Sequence, residues 1–227
     1  MRKSYLFFWF LGVFAIFSVM ASNVYALSDH CPRQNVKTEL KSKLAKTKVY
    51  RGTVSSFNDY IGNHDRSQGT VLAFVETDYR ELFVKLYYKF NTVEAGNGRY
   101  CVQLEKVLGE FYAAPALYMP TDYGKSSCEY KQVLKHEKRH LQAVYDYHKR
   151  NEGRYASFLG RISRGVEIYP PVSDEDDIED IQLDIVEYFE ENFREQEIKS
   201  LIELAQIQNK IDSPMEYRGV SMRCDRW

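Results

Sequence analysis

The sequence predicts an α+β fold: a small, mostly antiparallel sheet in the N-terminal half, followed by two long helices. Three observations predict it. First, four runs before residue 120 are rich in β-branched and aromatic residues: Val71 to Val75, Leu82 to Phe90, Tyr100 to Leu108 and Ala114 to Met119. Second, from residue 126 the apolar residues fall at helical rather than alternating spacing. Third, the strand-like runs all precede the helical ones, which argues for segregated elements rather than a wound parallel sheet.

In chain order, residues 36 to 120 read mostly as strands and turns. Phe83-Val84-Lys85-Leu86-Tyr87-Tyr88-Lys89-Phe90 alternates partially, as a half-buried strand does. Asn63 to Gly69 is polar and reads as a loop, and Glu94-Ala95-Gly96-Asn97-Gly98 reads as a hairpin break. Pro115 has no N–H to give to a ladder, so the run from Ala114 to Met119 is expected at a sheet edge. Ser126 with Glu129 fits a capping box at a helix start. Val133, Leu134, Leu141, Val144, Tyr145 and Tyr147 then mark the apolar side of that helix. Gly153 and Gly160 are expected to end or bend it, and Pro170-Pro171 cannot continue it. A second helix is expected from Ser173 to about Ile211. Asp174 to Asp177 in its first turn complement the positive end of the helix dipole. That acidic run lacks the spacing and glycine of a calcium loop. Ile178, Ile181, Ile185, Phe189, Ile198, Leu201, Ile202 and Ala205 are the expected buried residues of this helix.

The N-terminus reads as an export signal. Arg2 and Lys3 precede an apolar run from Tyr5 to Met20, and small residues follow, ending in Val24-Tyr25-Ala26. The run is shorter than the roughly 20 residues a membrane span needs, so stable membrane insertion after signal cleavage is not expected. The reading is a signal peptide over 1–26, a mature chain from near Leu27 forming one domain over 27–227, and a periplasmic or secreted location. Without Arg2 and Lys3 the 31 basic residues fall to 29 against 32 acidic ones, a net charge of −3. No basic patch dominates, so nucleic acid is not an expected partner. Cys31, Cys101, Cys128 and Cys224 are an even set in an exported chain, which points to two disulfides. Three pairings are open. A bridge at Cys128 would tether the start of the first long helix, and one at Cys224 would tie down the C-terminal tail.

The chemistry lies in His136-Glu137-Lys138-Arg139-His140, an H-E-x-x-H pattern inside the first long helix. Residues four apart lie on one helix face, one turn apart. Two imidazoles so placed can point a nitrogen each at one metal ion. Glu137 lies about 100° round the axis from His136, placed to reach a metal-bound water rather than the metal. A third ligand is needed. His148 lies about 12 Å along a continuous helix from His140 and cannot join it unless the helix breaks. His64, in the polar loop, is another candidate.

The segment from about Tyr100 to Val144 resembles the core of small zincin-type metallopeptidases. It is most similar to uncharacterised exported bacterial families of predicted zinc-dependent proteases. The likeness rests on a sheet, a strand ending Leu117-Tyr118-Met119-Pro120, a short loop, and Cys128-Glu129-Tyr130 leading into His136-Glu137-x-x-His140. It covers about a fifth of the chain. It implies Zn2+ held by His136 and His140, Glu137 as general base, and an extended peptide or protein substrate paired with the edge strand. Ala143 and Asp146 stand where the metzincin extension needs Gly and His, so that subfamily is excluded. The gluzincin solution takes a carboxylate from a later helix. Asp184, Glu187 and Glu191 are the candidates, and Glu187 is preferred because it lies beside the stripe of Ile181, Ile185 and Phe189. Tyr118 and Tyr123 are candidates for polarising a substrate carbonyl. The resemblance also admits a catalytically inactive, zincin-like binding module of the cell envelope. A helical interaction protein with an accidental motif is the third reading.

Overall fold

A computed structural model describes residues 30–62, 71–77 and 82–224. The expected signal peptide and His64 therefore lie outside the described residues. The fold is α+β, with two small mixed sheets in the N-terminal half and long helices after them.

Strands β1 (Lys37–Leu44), β5 (Arg99–Ala113) and β4 (Lys85–Gly96) form one sheet in the order β1-β5-β4. Strands β2 (Lys48–Gly52), β6 (Ala116–Pro120) and β3 (Phe74–Glu76) form the other, in the order β2-β6-β3. Helix α1 (Val54–Gly62) follows β2. In each sheet one pairing is parallel (β1 with β5, β2 with β6) and one antiparallel (β4 with β5, β3 with β6). The β4–β5 hairpin closes at Asn97-Gly98, whose φ values of 54° and 67° are those a two-residue turn of matching twist requires.

The parallel pairs run on from one sheet to the next. Ala45 N–H donates to Ala113 at 2.8 Å and Lys48 N–H to Pro115 at 3.3 Å. Pro115 thus marks the break between two sheets, since its ring nitrogen has no hydrogen for the ladder. It does not mark an edge. Strand β6, the expected edge strand, is the middle strand of its sheet, with β2 on one side and β3 on the other.

Helix α2 (Cys128–Ile162) is 35 residues long and underlies both sheets. Val133 and Leu141 in its first half pack with Leu117 and Met119 of the small sheet and with Ala73 just ahead of β3. Ala143, Tyr147, Tyr155, Leu159 and Ile162 join Leu104, Val107 and Phe111 of the larger one in the main core. The N-cap is Ser127, whose hydroxyl accepts from Tyr130 N–H, one residue later than expected. Gly153 and Gly160 do not end the helix. Each costs about 1 kcal/mol of helix propensity, which burial of Tyr155, Leu159 and Ile162 outweighs. A single 3₁₀ turn, Ser163–Gly165, follows.

Helix α3 (Glu175–Ile211) starts at the N-cap Asp174, which accepts from Asp176 N–H at 2.9 Å, and runs antiparallel to α2. Its buried stripe is Ile181, Ile185, Phe189, Phe193, Glu197, Ser200 and Leu204. Ile198, Ile202 and Ala205, expected inside, are exposed. Contacts that advance in steps of four follow a helix ridge that turns about 40° per step, so the stripe leaves the face it started on. Helix α4 (Pro214–Ser221) follows and lies beside the first half of α2.

Both disulfides are present, Cys31–Cys101 and Cys128–Cys224. The second ties the start of α2 to the tail after α4. The two bridges fit an oxidising, exported location. Among the described residues no helix is long and apolar enough to cross a membrane.

Candidate metal centre

His136, Glu137 and His140 all face inward from α2 and are 7%, 5% and 8% exposed. The helical period sets them round the axis. His136 and His140 fall on the side of Ala143 and Tyr147, towards α3. Glu137 falls four residues from both Val133 and Leu141, in the middle of the stripe that faces the small sheet.

The residue that meets the two imidazoles is Asp212, the C-cap of α3. Its Oδ1 lies 3.2 Å from His136 Nε2 and 3.0 Å from His140 Nε2, and the two Nε2 atoms are 3.2 Å apart. His136, His140 and Asp212 form a group of ligand atoms that could hold one metal ion. Asp212 is 43% exposed at its side chain, so the cluster is open to solvent on that side.

Two features favour a cation there. A carboxylate at a helix C-terminus opposes the helix dipole, whose negative end it adds to. Asp212 N–H donates to Gln208 O and Lys210 O, which fixes the residue in that position. Second, His140 Nδ1 is bonded to Gln208 Oε1, while Gln208 Nε2 donates to His140 O at 3.5 Å. An amide oxygen only accepts, so Nδ1 carries hydrogen, and a neutral His140 then aims a bare Nε2 lone pair at Asp212 Oδ1. Lone pair against carboxylate is repulsive until a proton or a metal ion stands between them. The same pressure appears in titration. Burial opposes charge on His140, but hydrogen bonds to Asp212 and Gln208 and the charges of Asp212 and Glu137 outweigh it and raise its pKa. Burial pushes the Glu137 carboxyl up to about 7, against the pull of His140 and His136 and with a small push from Asp212.

The structure does not bring Glu187 to the histidines. Tyr188 beside it donates to the carbonyl of Ile162, at the far end of α2. Glu187 is exposed and stands about 37 Å along α3 from Asp212 at 1.5 Å per residue. Asp184 and Glu191 are exposed on the same distant half of α3. His148 is a core residue: it stacks on Phe111 at 4.5 Å, lies 3.3 Å from Ser42 Oγ, and burial lowers its pKa. Tyr118 points away from α2, because its neighbours Leu117 and Met119 face it and strand side chains alternate. Its hydroxyl donates to Glu76 Oε2 at 2.7 Å and its ring stacks on Phe74 at 4.3 Å. Tyr123 lies partly buried in the loop leading to α2.

The sequence reading missed Asp212, though two signals for it exist. Pro170-Pro171 marks a chain reversal, and counting outwards in an antiparallel pair sets residues beyond 200 across from His140. An Asp directly before Ser213-Pro214 at a helix end is also unfavourable to that helix.

Fold and site together define an α+β protein with a His-His-Asp cluster able to take a metal ion and a buried glutamate next to it. Comparison with known protein families, curated proteins and solved structures finds no match to this chain.

Proposed function

We propose that the protein is an exported zinc-dependent peptidase, acting in the periplasm or outside the cell after removal of residues 1–26. One observation carries the reading: His136, His140 and Asp212 present their ligand atoms 3.0–3.2 Å apart, with Glu137 in the next helix position. Ligands of a tetrahedral zinc at about 2.0–2.1 Å stand roughly 3.3 Å from each other, so the three atoms already match a zinc tripod. Two imidazoles and one carboxylate, with a fourth position left to water, are the donor set of a catalytic rather than a closed structural zinc. Bound there, zinc would supply a Lewis acid that lowers the pKa of water towards 7.

The chain's own residues supply the rest. Glu137 accepts the proton of the attacking water and hands it to the leaving amine. Strand β6 is flanked on both sides and offers no edge. Strand β3 is the edge strand that packs on α2 through Val75, with Ala73 just ahead of it, and it is where an extended peptide would add to the sheet.

The test is zinc analysis of the purified, disulfide-bonded protein beside hydrolysis of an unfolded protein substrate with and without a chelator. Zinc at one per chain and chelator-sensitive cleavage are expected. Zinc without cleavage identifies the inactive binding module, and no zinc removes both.

A further inference from the structure

Gln208 stands four residues before Asp212 on the last turn of α3, partly buried, and faces His140. It touches the cluster in three ways. Its side-chain oxygen meets His140 Nδ1, and its side-chain nitrogen donates to the His140 carbonyl at 3.5 Å. Its own backbone carbonyl accepts from Asp212 N–H at 3.0 Å. One residue thus connects two chain segments that contribute ligand atoms. The carboxamide has an acceptor end and a donor end, and the carbonyl of His140 can take only the donor. The acceptor end is therefore the one at Nδ1.

We propose that Gln208 is a positioning residue of the metal centre: by accepting from Nδ1–H it selects the tautomer of His140 whose Nε2 faces His136 and Asp212. The proposal rests on the metal reading above. Without the acceptor, a neutral imidazole can place its hydrogen on Nε2, where it blocks ligation, and the ring can turn about its bond to the helix. His136 and Asp212 would then be left with a partner present in the right orientation only part of the time. Outer partners of this kind typically change metal affinity by about 10- to 100-fold.

The experiment measures zinc affinity by competition with a chelating indicator, on the oxidised full-length protein. Gln208→Ala and Gln208→Met both remove the acceptor, and Met keeps most of the length and apolar contact. Both are expected to weaken zinc binding by about 10- to 100-fold. Gln208→Glu keeps an oxygen for Nδ1–H and is expected to bind within a few-fold of the parent. A second readout is the nitrogen-15 NMR spectrum of the zinc-loaded proteins. The His140 Nδ1–H proton is expected to be protected from exchange in the parent and in Gln208→Glu, and lost in Gln208→Met. Parent protein that binds zinc, with Ala and Met variants that bind as tightly, overturns the proposal and leaves the metal reading standing. Weak binding by all three variants, Glu included, overturns it too, because the loss is then one of packing. Parent protein that binds no zinc overturns the metal reading and this inference with it.

Discussion

His140 and Asp212 lie 72 residues apart in the chain, and Nε2 of one stands 3.0 Å from Oδ1 of the other. The antiparallel pairing of α2 and α3 produces this meeting. Its register is visible in other contacts: Tyr188 with Ile162, Phe193 with Tyr155 and Phe158, and Glu203 with Arg154. Each step towards the C-terminus of α3 is a step towards the N-terminus of α2. The HExxH segment, near the start of α2, can therefore meet only the end of α3.

The first prediction follows from that register. Asp212→Ala should weaken zinc binding by at least 10- to 100-fold, since it removes a ligand rather than an outer partner. Glu187→Ala should leave it unchanged. Equilibrium competition with a zinc indicator measures both. The opposite ranking would mean that α3 does not pair with α2 as described.

How much of this was readable in the sequence depends on the range of the interactions involved. The order of strands and long helices, the Asn97-Gly98 turn and the two histidines on one face all depend on local chain geometry, and all are in the structure; the short helix α1, set between β2 and β3, was not expected. The start of α3 at its acidic turn was readable for the same reason. Features set by distant partners were not. Pro115 interrupts a ladder whichever strand lies beside it, so it cannot by itself tell an edge from a break between sheets. Glu187 lies near a real apolar stripe, but the stripe states only that α3 has a buried face. Which end of α2 that face meets is a matter of register over more than 40 residues. The identity of Asp212 as the third residue of the cluster needed that register.

The second prediction separates metal binding from proton transfer. Glu137→Gln keeps the side-chain shape and no ligand is lost, so zinc content should match the parent. Hydrolysis should fall by about 10²- to 10⁴-fold, because the amide cannot take a proton. Elemental analysis and initial rates on the same preparations decide it. Full activity in this variant would falsify the role given to Glu137.

The third prediction concerns Glu197, far from the cluster. It is buried, it accepts from Val84 N–H at 2.5 Å, and burial raises its pKa from an ordinary 4.5 to about 7. Glu190 pushes in the same direction, while the Val84 hydrogen bond and Arg194 oppose it. Between pH 4.5 and 7 the folded protein holds a proton that the unfolded chain has lost. Stability therefore falls as pH rises through that window and levels off above it. A shift of this size corresponds to about 3 kcal/mol. Glu197→Gln keeps an acceptor for Val84 and has no charge to bury. Urea unfolding should show this variant gaining on the parent between pH 5 and pH 8. Parallel pH profiles for the two proteins would remove Glu197 as the cause.

The last prediction uses the two disulfides as controls for each other. Cys31–Cys101 spans 70 residues and Cys128–Cys224 spans 96, so on chain entropy alone each should contribute about 4.5 kcal/mol of stability. Their neighbourhoods differ. Cys31–Cys101 ties the chain ahead of β1 to the start of β5. Cys128–Cys224 closes a strap that begins at Asp212, runs through α4 and returns to the first residue of α2. Arg139, inside the HExxH segment, holds the middle of that strap by pairing with Glu216 at 2.6 and 3.2 Å, and Arg223 reaches Gln132 at 3.2 Å near its end. Replacing Cys128 and Cys224 with Ser should therefore lower both the melting temperature and zinc affinity. Replacing Cys31 and Cys101 should lower the melting temperature alone. The paired measurement is thermal unfolding of the metal-free proteins beside zinc competition at 25 °C, on variants whose circular dichroism at that temperature matches the parent. Equal losses of zinc affinity in the two double variants would show that stability in general, and not the strap, holds Asp212 against the histidines.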